Sequence, residues 1–147
     1  MKLAWLIIVF VCGALLPIQA GLNTRLGKSI GSPVYASLFS FLVGAAAVAI
    51  YLLFTKETVT WAGAKSAGLS SWLGGGLTGA IFITATMMAV PRIGMALTFS
   101  LVVAGQMIVA VALDHFKVLV AEQHSFNIWR LAGIVIIICG VILVRKF

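Results

Sequence analysis

The feature that most constrains this chain is a pair of uncharged runs joined by a turn. From Leu69 to Val90 there are 22 residues without a charge, and from Gly94 the next charge arrives only at Asp114. A helix needs about 20 such residues to cross ~30 Å of hydrocarbon. Between the runs, Val90-Pro91-Arg92-Ile93-Gly94 supplies a reversal. Pro91 is expected to end the first helix, Gly94 to free the backbone, and Arg92 to stay with water or headgroups. The segment reads as a membrane hairpin. Gly75 and Gly79 form a small-xxx-small pair within it, suited to close helix contact, and Gln106 is an amide that needs partners.

Three further apolar runs extend the pattern to five helices, at about 3–22, 34–54, 69–90, 94–114 and 128–144. Hydrophobic residues make up 63% of the 147 and charged ones only 9%, against roughly a quarter in soluble domains. The expected fold class is an all-α membrane protein forming a single transmembrane domain over residues 1–147. A secretory signal is the rival reading of the first run, with Lys2, a core from Leu3 to Leu16, and Pro17-Ile18-Gln19-Ala20 as a cleavage region. Ile18 is a poor small residue for that role, and the run is kept as a helix. Asn23 to Pro33, with Arg25, Gly27, Lys28 and Gly31, reads as the loop that follows.

The net charge of +7 comes from scattered Lys and Arg with three carboxylates, Glu57, Asp114 and Glu122. Basic residues placed singly at helix ends are membrane-orienting charges, so no nucleic-acid partner is expected. Cys12 and Cys139 lie inside apolar runs and read as small hydrophobes. His115 and His124 stand nine apart without helical metal spacing, and no metal or cofactor is expected. No nucleophile–base set or phosphate-binding loop is present, which leaves an enzyme reading little to stand on.

The polar residues inside the runs carry what functional signal there is. Gln19 and Asn23 are i, i+4 on one helix face, just after Pro17 frees a backbone carbonyl. They either line a polar cavity or bond between helices. Gln106, near the middle of the fourth helix, faces the same choice, because an unpaired amide in hydrocarbon costs several kcal/mol. Ser37, Ser40, Gly44 and Ala47 give helix 2 a small, slightly polar face, while Thr98 and Ser100 are readily satisfied by their own helix. The substrate-cavity candidates are therefore Gln19, Asn23, Ser40, Thr98 and Gln106. Gly133 and Gly140, around Ile137, give helix 5 a flat stripe for a helix–helix interface. No Asp or Glu sits within the spans except Asp114 at the very end of the fourth, so a simple carboxylate-driven proton antiport is not expected.

Met88-Ala89-Val90-Pro91-Arg92-Ile93-Gly94-Met95-Ala96 resembles a signature of the drug/metabolite transporter superfamily. Pro17 and Gln19 with Asn23, Ser32-Pro33, Ser40-Phe41 with Gly44, Gly105-Gln106 and Asp114-His115-Phe116 are similar to the YdcZ-like family of short bacterial inner-membrane proteins. One departure is Lys117, where that family's turn glycine is expected. The resemblance implies a multi-pass inner-membrane protein that supplies one five-helix repeat of an inverted-repeat transporter, pairing with an inverted copy. It also implies a last helix, Arg130 to Leu143, that makes a dimer contact through Gly133, Ile137 and Gly140. The small multidrug relatives carry a glutamate in helix 1, where this chain has Gln19.

With five helices, Lys2, Lys56, Lys65, Lys117 and Arg130 fall on one side of the membrane, and Arg25, Lys28, Arg92, Arg145 and Lys146 on the other. Five against five leaves no bias, and orientation follows the excess of Lys and Arg in short loops. The expectation is a dual-topology antiparallel homodimer with a midplane cavity, alternating access and a small-molecule substrate of unknown identity. Its alternative is a non-transporting accessory or assembly subunit whose polar residues only join helices.

Overall fold

The computed structural model describes residues 2–55, 57–59, 61–64, 66–120 and 124–147. Lys56, Lys65 and Glu122, which enter the charge count above, lie outside them. Five α-helices are each long and apolar enough to cross a membrane: α1 (Lys2–Ile30), α2 (Pro33–Thr55), α3 (Gly68–Ile93), α4 (Met95–Phe116) and α5 (Ile128–Lys146). No strand occurs among the described residues. The protein is an all-α membrane protein. Large apolar side chains such as Phe10, Phe54 and Ile136 are exposed, which lipid tolerates and water does not.

Two expected boundaries are corrected. The segment Asn23–Ile30 is helix, not loop, and α1 reaches 29 residues. Arg25 and Lys28 are good helix formers, and Ser29 Oγ donates to the Arg25 carbonyl at 3.1 Å. The turn is only Gly31, at φ 73°, and Ser32. Ser32 caps α2 by accepting the Tyr35 N–H at 3.3 Å, and Pro33 takes the first helical position, where no N–H is needed. Pro91 likewise does not end α3, which continues to Ile93. A proline in the last turn deletes a single ladder bond, and the guanidinium of Arg92 covers the neighbouring Met88 carbonyl at 2.6 Å. The break falls at Gly94, with φ 82°. Pro17, with the segment weighed as a cleavage region, lies inside α1.

The chain divides into two compact units, Met1–Arg92 and Ile93–Phe147. In the first, α1 and α2 form a hairpin, and α3 is tied to α2 by side chains. Thr84 Oγ1 donates to Ser37 Oγ at 3.0 Å, and that hydroxyl donates to the Pro33 carbonyl at 3.0 Å and lies 3.3 Å from Met87 Sδ. Gly79 stands against the Phe41 ring of α2: a Cβ there would sit 3.4 Å from Phe41 Cζ. Gly75, its expected partner in a backbone contact, has open space. Before α3, Trp61 stacks on Trp72 with centroids 6.5 Å apart, and the Trp72 indole donates to the Ala64 carbonyl at 3.0 Å.

In the second unit α4 and α5 pack side by side. The link between them is held at both ends. Lys117 sits left-handed at φ 53° and ψ 38°, and Val118 N–H closes a bond of 3.0 Å on the Leu113 carbonyl. This is the helix-ending turn that ordinarily takes glycine, here made by a lysine. Asn127 caps α5 by accepting the Arg130 N–H at 2.9 Å.

Candidate functional site

Three of the five candidate cavity residues belong to the first unit, and the structure brings them together. Asn23 on α1 donates from Nδ2 to Ser40 Oγ on α2 at 3.1 Å, across 17 residues of sequence. Ser40 and Gln19 both line a cavity of about 590 Å³. Its walls are Phe41, Gly44, Val48 and Leu52 of α2 and Ile83 of α3. From Ser40 to Leu52 the cavity follows α2 for about 18 Å at 1.5 Å per residue. It is polar at one end and apolar along the rest.

The local sequence explains the shape. Gln19 and Asn23 share one face of α1, one turn apart, so their amides reach the same neighbour. Asn23 spends its amide on Ser40, while Gln19 is exposed. Gly44, one turn beyond Ser40, leaves room where a side chain would stand, and a Cβ built there meets nothing within 4 Å. Ala47, expected on the same face, does not line the cavity.

The second unit places its candidates differently. Thr98 is buried, 4% exposed, and its hydroxyl donates to the Gly94 carbonyl of its own helix at 2.6 Å. Two grooves run between α4 and α5. One is lined by Leu97, Leu101, Ala104, Ile138 and Arg145, the other by Ala96, Ser100, Val103, Ile137 and Gly140. Gln106 is exposed on α4 and lines neither. Gly133, Ile137 and Gly140 are half-buried, and a Cβ added to either glycine meets nothing within 4 Å.

Sequence reasoning missed two polar features. Thr84 was not singled out, yet its bond to Ser37 joins α3 to the small face of α2. Thr24, next to Asn23, holds a buried hydroxyl with no hydrogen-bond partner among the described residues. The spacing of Thr24 two turns ahead of Gly31 gives no hint of this, because only the packed helices bury it.

Over residues 4–143 the chain matches the model of a family described as "Putative inner membrane exporter, YdcZ". No curated protein and no solved structure matches it.

Proposed function

The chain belongs to the YdcZ family of inner-membrane proteins, and on that premise we propose that it is one half of a small-molecule transporter. The cavity holding Gln19 and Ser40 receives the substrate, and Asn23 fixes the Ser40 hydroxyl. Gln106, mid-way along α4, and Thr98 serve the same substrate in the assembled transporter. The working unit is an antiparallel homodimer with contacts at Gly133, Ile137 and Gly140, and access alternates by rocking of inverted copies around a fixed site. The observation that carries this reading is a cavity of about 590 Å³ with an exposed amide at its polar end, in a family described as exporters. A polar group facing a membrane cavity needs water or substrate there.

The accessory-subunit reading draws on one observation, that Asn23 and Ser40 already satisfy each other between helices. The two readings part on water access. In a chain with Cys12 and Cys139 replaced by alanine, single cysteines at positions 19 and 106 are treated with a membrane-impermeant maleimide. Transport predicts labelling at both positions, slowed by whichever member of a metabolite and cation library raises the melting temperature of the purified protein. No labelling at either position in intact membranes would favour the scaffold.

A further inference from the structure

Beside the turn that joins α1 to α2, the first unit has a second cavity, of about 430 Å³. Lys28 and Thr24 of α1 and Arg92 of α3 supply its polar lining, and Pro33, Met87 and Met88 its apolar wall. We propose that this cavity binds a phosphate group, carried either by a phospholipid or by a free phosphate ester.

Three observations converge on that chemistry. The first is uncompensated charge. Lys28 and Arg92, 64 positions apart in sequence, line one cavity, and the first unit contains a single carboxylate, Glu57. Glu57 follows the far end of α2, roughly 33 Å along the helix from Pro33. Two exposed cations that line one cavity without an acid beside them favour an anionic ligand.

The second is the unpaired hydroxyl. Thr24 lines the cavity, its Oγ1 is buried, and no group among the described residues accepts its proton. A buried hydroxyl without a partner is costly, and a rotation of the Thr24 side chain toward the cavity would let a ligand oxygen relieve it. The third is preorganisation. Arg92 Nη1 donates to the Met88 carbonyl at 2.6 Å, which anchors the guanidinium along the end of α3 while its remaining N–H donors stay on the side chain for an oxyanion. A carboxylate offers two oxygens to these donors; a phosphate offers more, in a tetrahedral array that suits donors arriving from separate helices.

The apolar wall suits the body that carries the phosphate. Methionines adapt to irregular shapes, and basic pockets between membrane helices are a known mode of headgroup recognition. This proposal does not rest on the transport reading, because the site is defined by residues outside the Gln19 cavity.

The test uses the purified full chain in a neutral detergent, with melting temperature as readout. Titrants are short-chain phosphatidylglycerol, phosphatidylcholine of the same chain length, glycerol phosphate and inorganic phosphate. The expected result is saturable stabilisation by an anionic phosphate compound, at least tenfold tighter than by phosphatidylcholine. Lys28→Gln and Arg92→Gln each weaken it tenfold or more, and Thr24→Val weakens it severalfold. Lys28→Arg retains it, and Lys2→Gln, with the same loss of charge, leaves it unchanged. Stabilisation by phosphatidylglycerol alone assigns the source as lipid; stabilisation by glycerol phosphate or inorganic phosphate as well assigns a soluble ester. The proposal is overturned if no phosphate compound stabilises the wild-type chain, or if Lys2→Gln weakens binding as much as Lys28→Gln.

Discussion

Arg130 Nη1 lies 3.0 Å from Asp114 Oδ2, so the start of α5 is tied to the end of α4 by an ion pair. The same nitrogen reaches the His124 carbonyl at 3.3 Å, and the His124 N–H donates to the Asp114 carbonyl at 3.3 Å. The two side chains are 30% and 29% exposed, where such a pair contributes about 0–1 kcal/mol. Its main effect is on the link, not on global stability. Arg130→Gln should change the melting temperature little while raising hydrogen exchange across 124–127 severalfold. A large loss of melting temperature with unchanged exchange would contradict this.

Lys117 holds a backbone conformation that costs a side-chain-bearing residue about 1–2 kcal/mol. Glycine is free of that cost but loses roughly 0.5–1 kcal/mol of chain entropy. Lys117→Gly should therefore stabilise the purified protein by about 0.5–1 kcal/mol. Lys117→Ala removes the same charge and should give no gain. Equal melting temperatures for the two variants would show that the turn carries no strain.

Gly27 of α1 packs tightly against the start of α2. A Cβ there would lie 3.2 Å from Pro33 Cα and 3.3 Å from Met87 Cε. Met87 can move aside, but Pro33 is backbone fixed by the Gly31–Ser32 turn. Alanine gains about 1 kcal/mol of helix propensity over glycine, and overpacking costs about 1–3 kcal/mol. Gly27→Ala should be destabilising on balance. Gly13→Ala, in open space on the same helix, should be neutral or stabilising. The comparison is made by thermal unfolding in detergent, and the opposite order would refute it.

The proposed dimer contact has a cleaner test than the sequence offered. The first carbon of a new side chain at Gly140 meets nothing within 4 Å in its own chain. Gly140 also lines the α4–α5 groove, so disruption by Gly140→Leu would report on a neighbouring copy only with the melting temperature of the chain unchanged. Gly140→Leu should reduce the cross-linked dimer severalfold relative to Val135→Leu, an equally apolar change on the same helix. Equal dimer fractions for the two would remove Gly140 from the interface.

Dual topology is the orientation expected from the five-against-five count of Lys and Arg. The Asp114 pairing does not cancel Arg130 in that count, because acidic residues contribute little to orientation. A cytoplasm-active fluorescent reporter and a periplasm-active phosphatase, each fused to Phe147, should both give appreciable signal. One added Lys near either end should swing the ratio strongly. Signal from one fusion alone, unmoved by the added charge, would establish a fixed orientation and leave the antiparallel homodimer without a supply of inverted copies.

The five helices were legible because apolar runs of 17 or more residues, uncharged but for a residue at an end such as Arg130, have few other fates. The end of α1 was not legible: Arg25, Lys28 and Ser29 suit a polar turn and a helix emerging from the bilayer equally well. The cap at Ser32-Pro33 decides between them, and it acts from beyond the run. Gln19, Asn23 and Ser40 could each be named from composition and face. The Asn23–Ser40 bond could not, because helical periodicity says nothing about register between helices. Lys28 and Arg92 are the extreme case, since only the packing of α3 against the α1–α2 hairpin brings two helix-end charges, distant in sequence, to one cavity. At Lys117 a glycine turn was expected and its residue was missing, yet the turn forms, because the bond from Val118 to Leu113 overrides local preference.

The two-residue connection between α1 and α2 also has a mechanical consequence. At 29 residues α1 is about 43 Å long, some 13 Å more than the hydrocarbon it crosses. The end of α1 is helix and not loop, and the ring of Pro33 fixes one torsion of the short connection to α2. The short connection, the packing of α1 along α2 and the Asn23–Ser40 bond tie the two helices into one hairpin. In the transport reading proposed above, a swing that opens a passage would pivot at other joints of the chain, and the Asn23–Ser40 bond would travel with the hairpin as one piece.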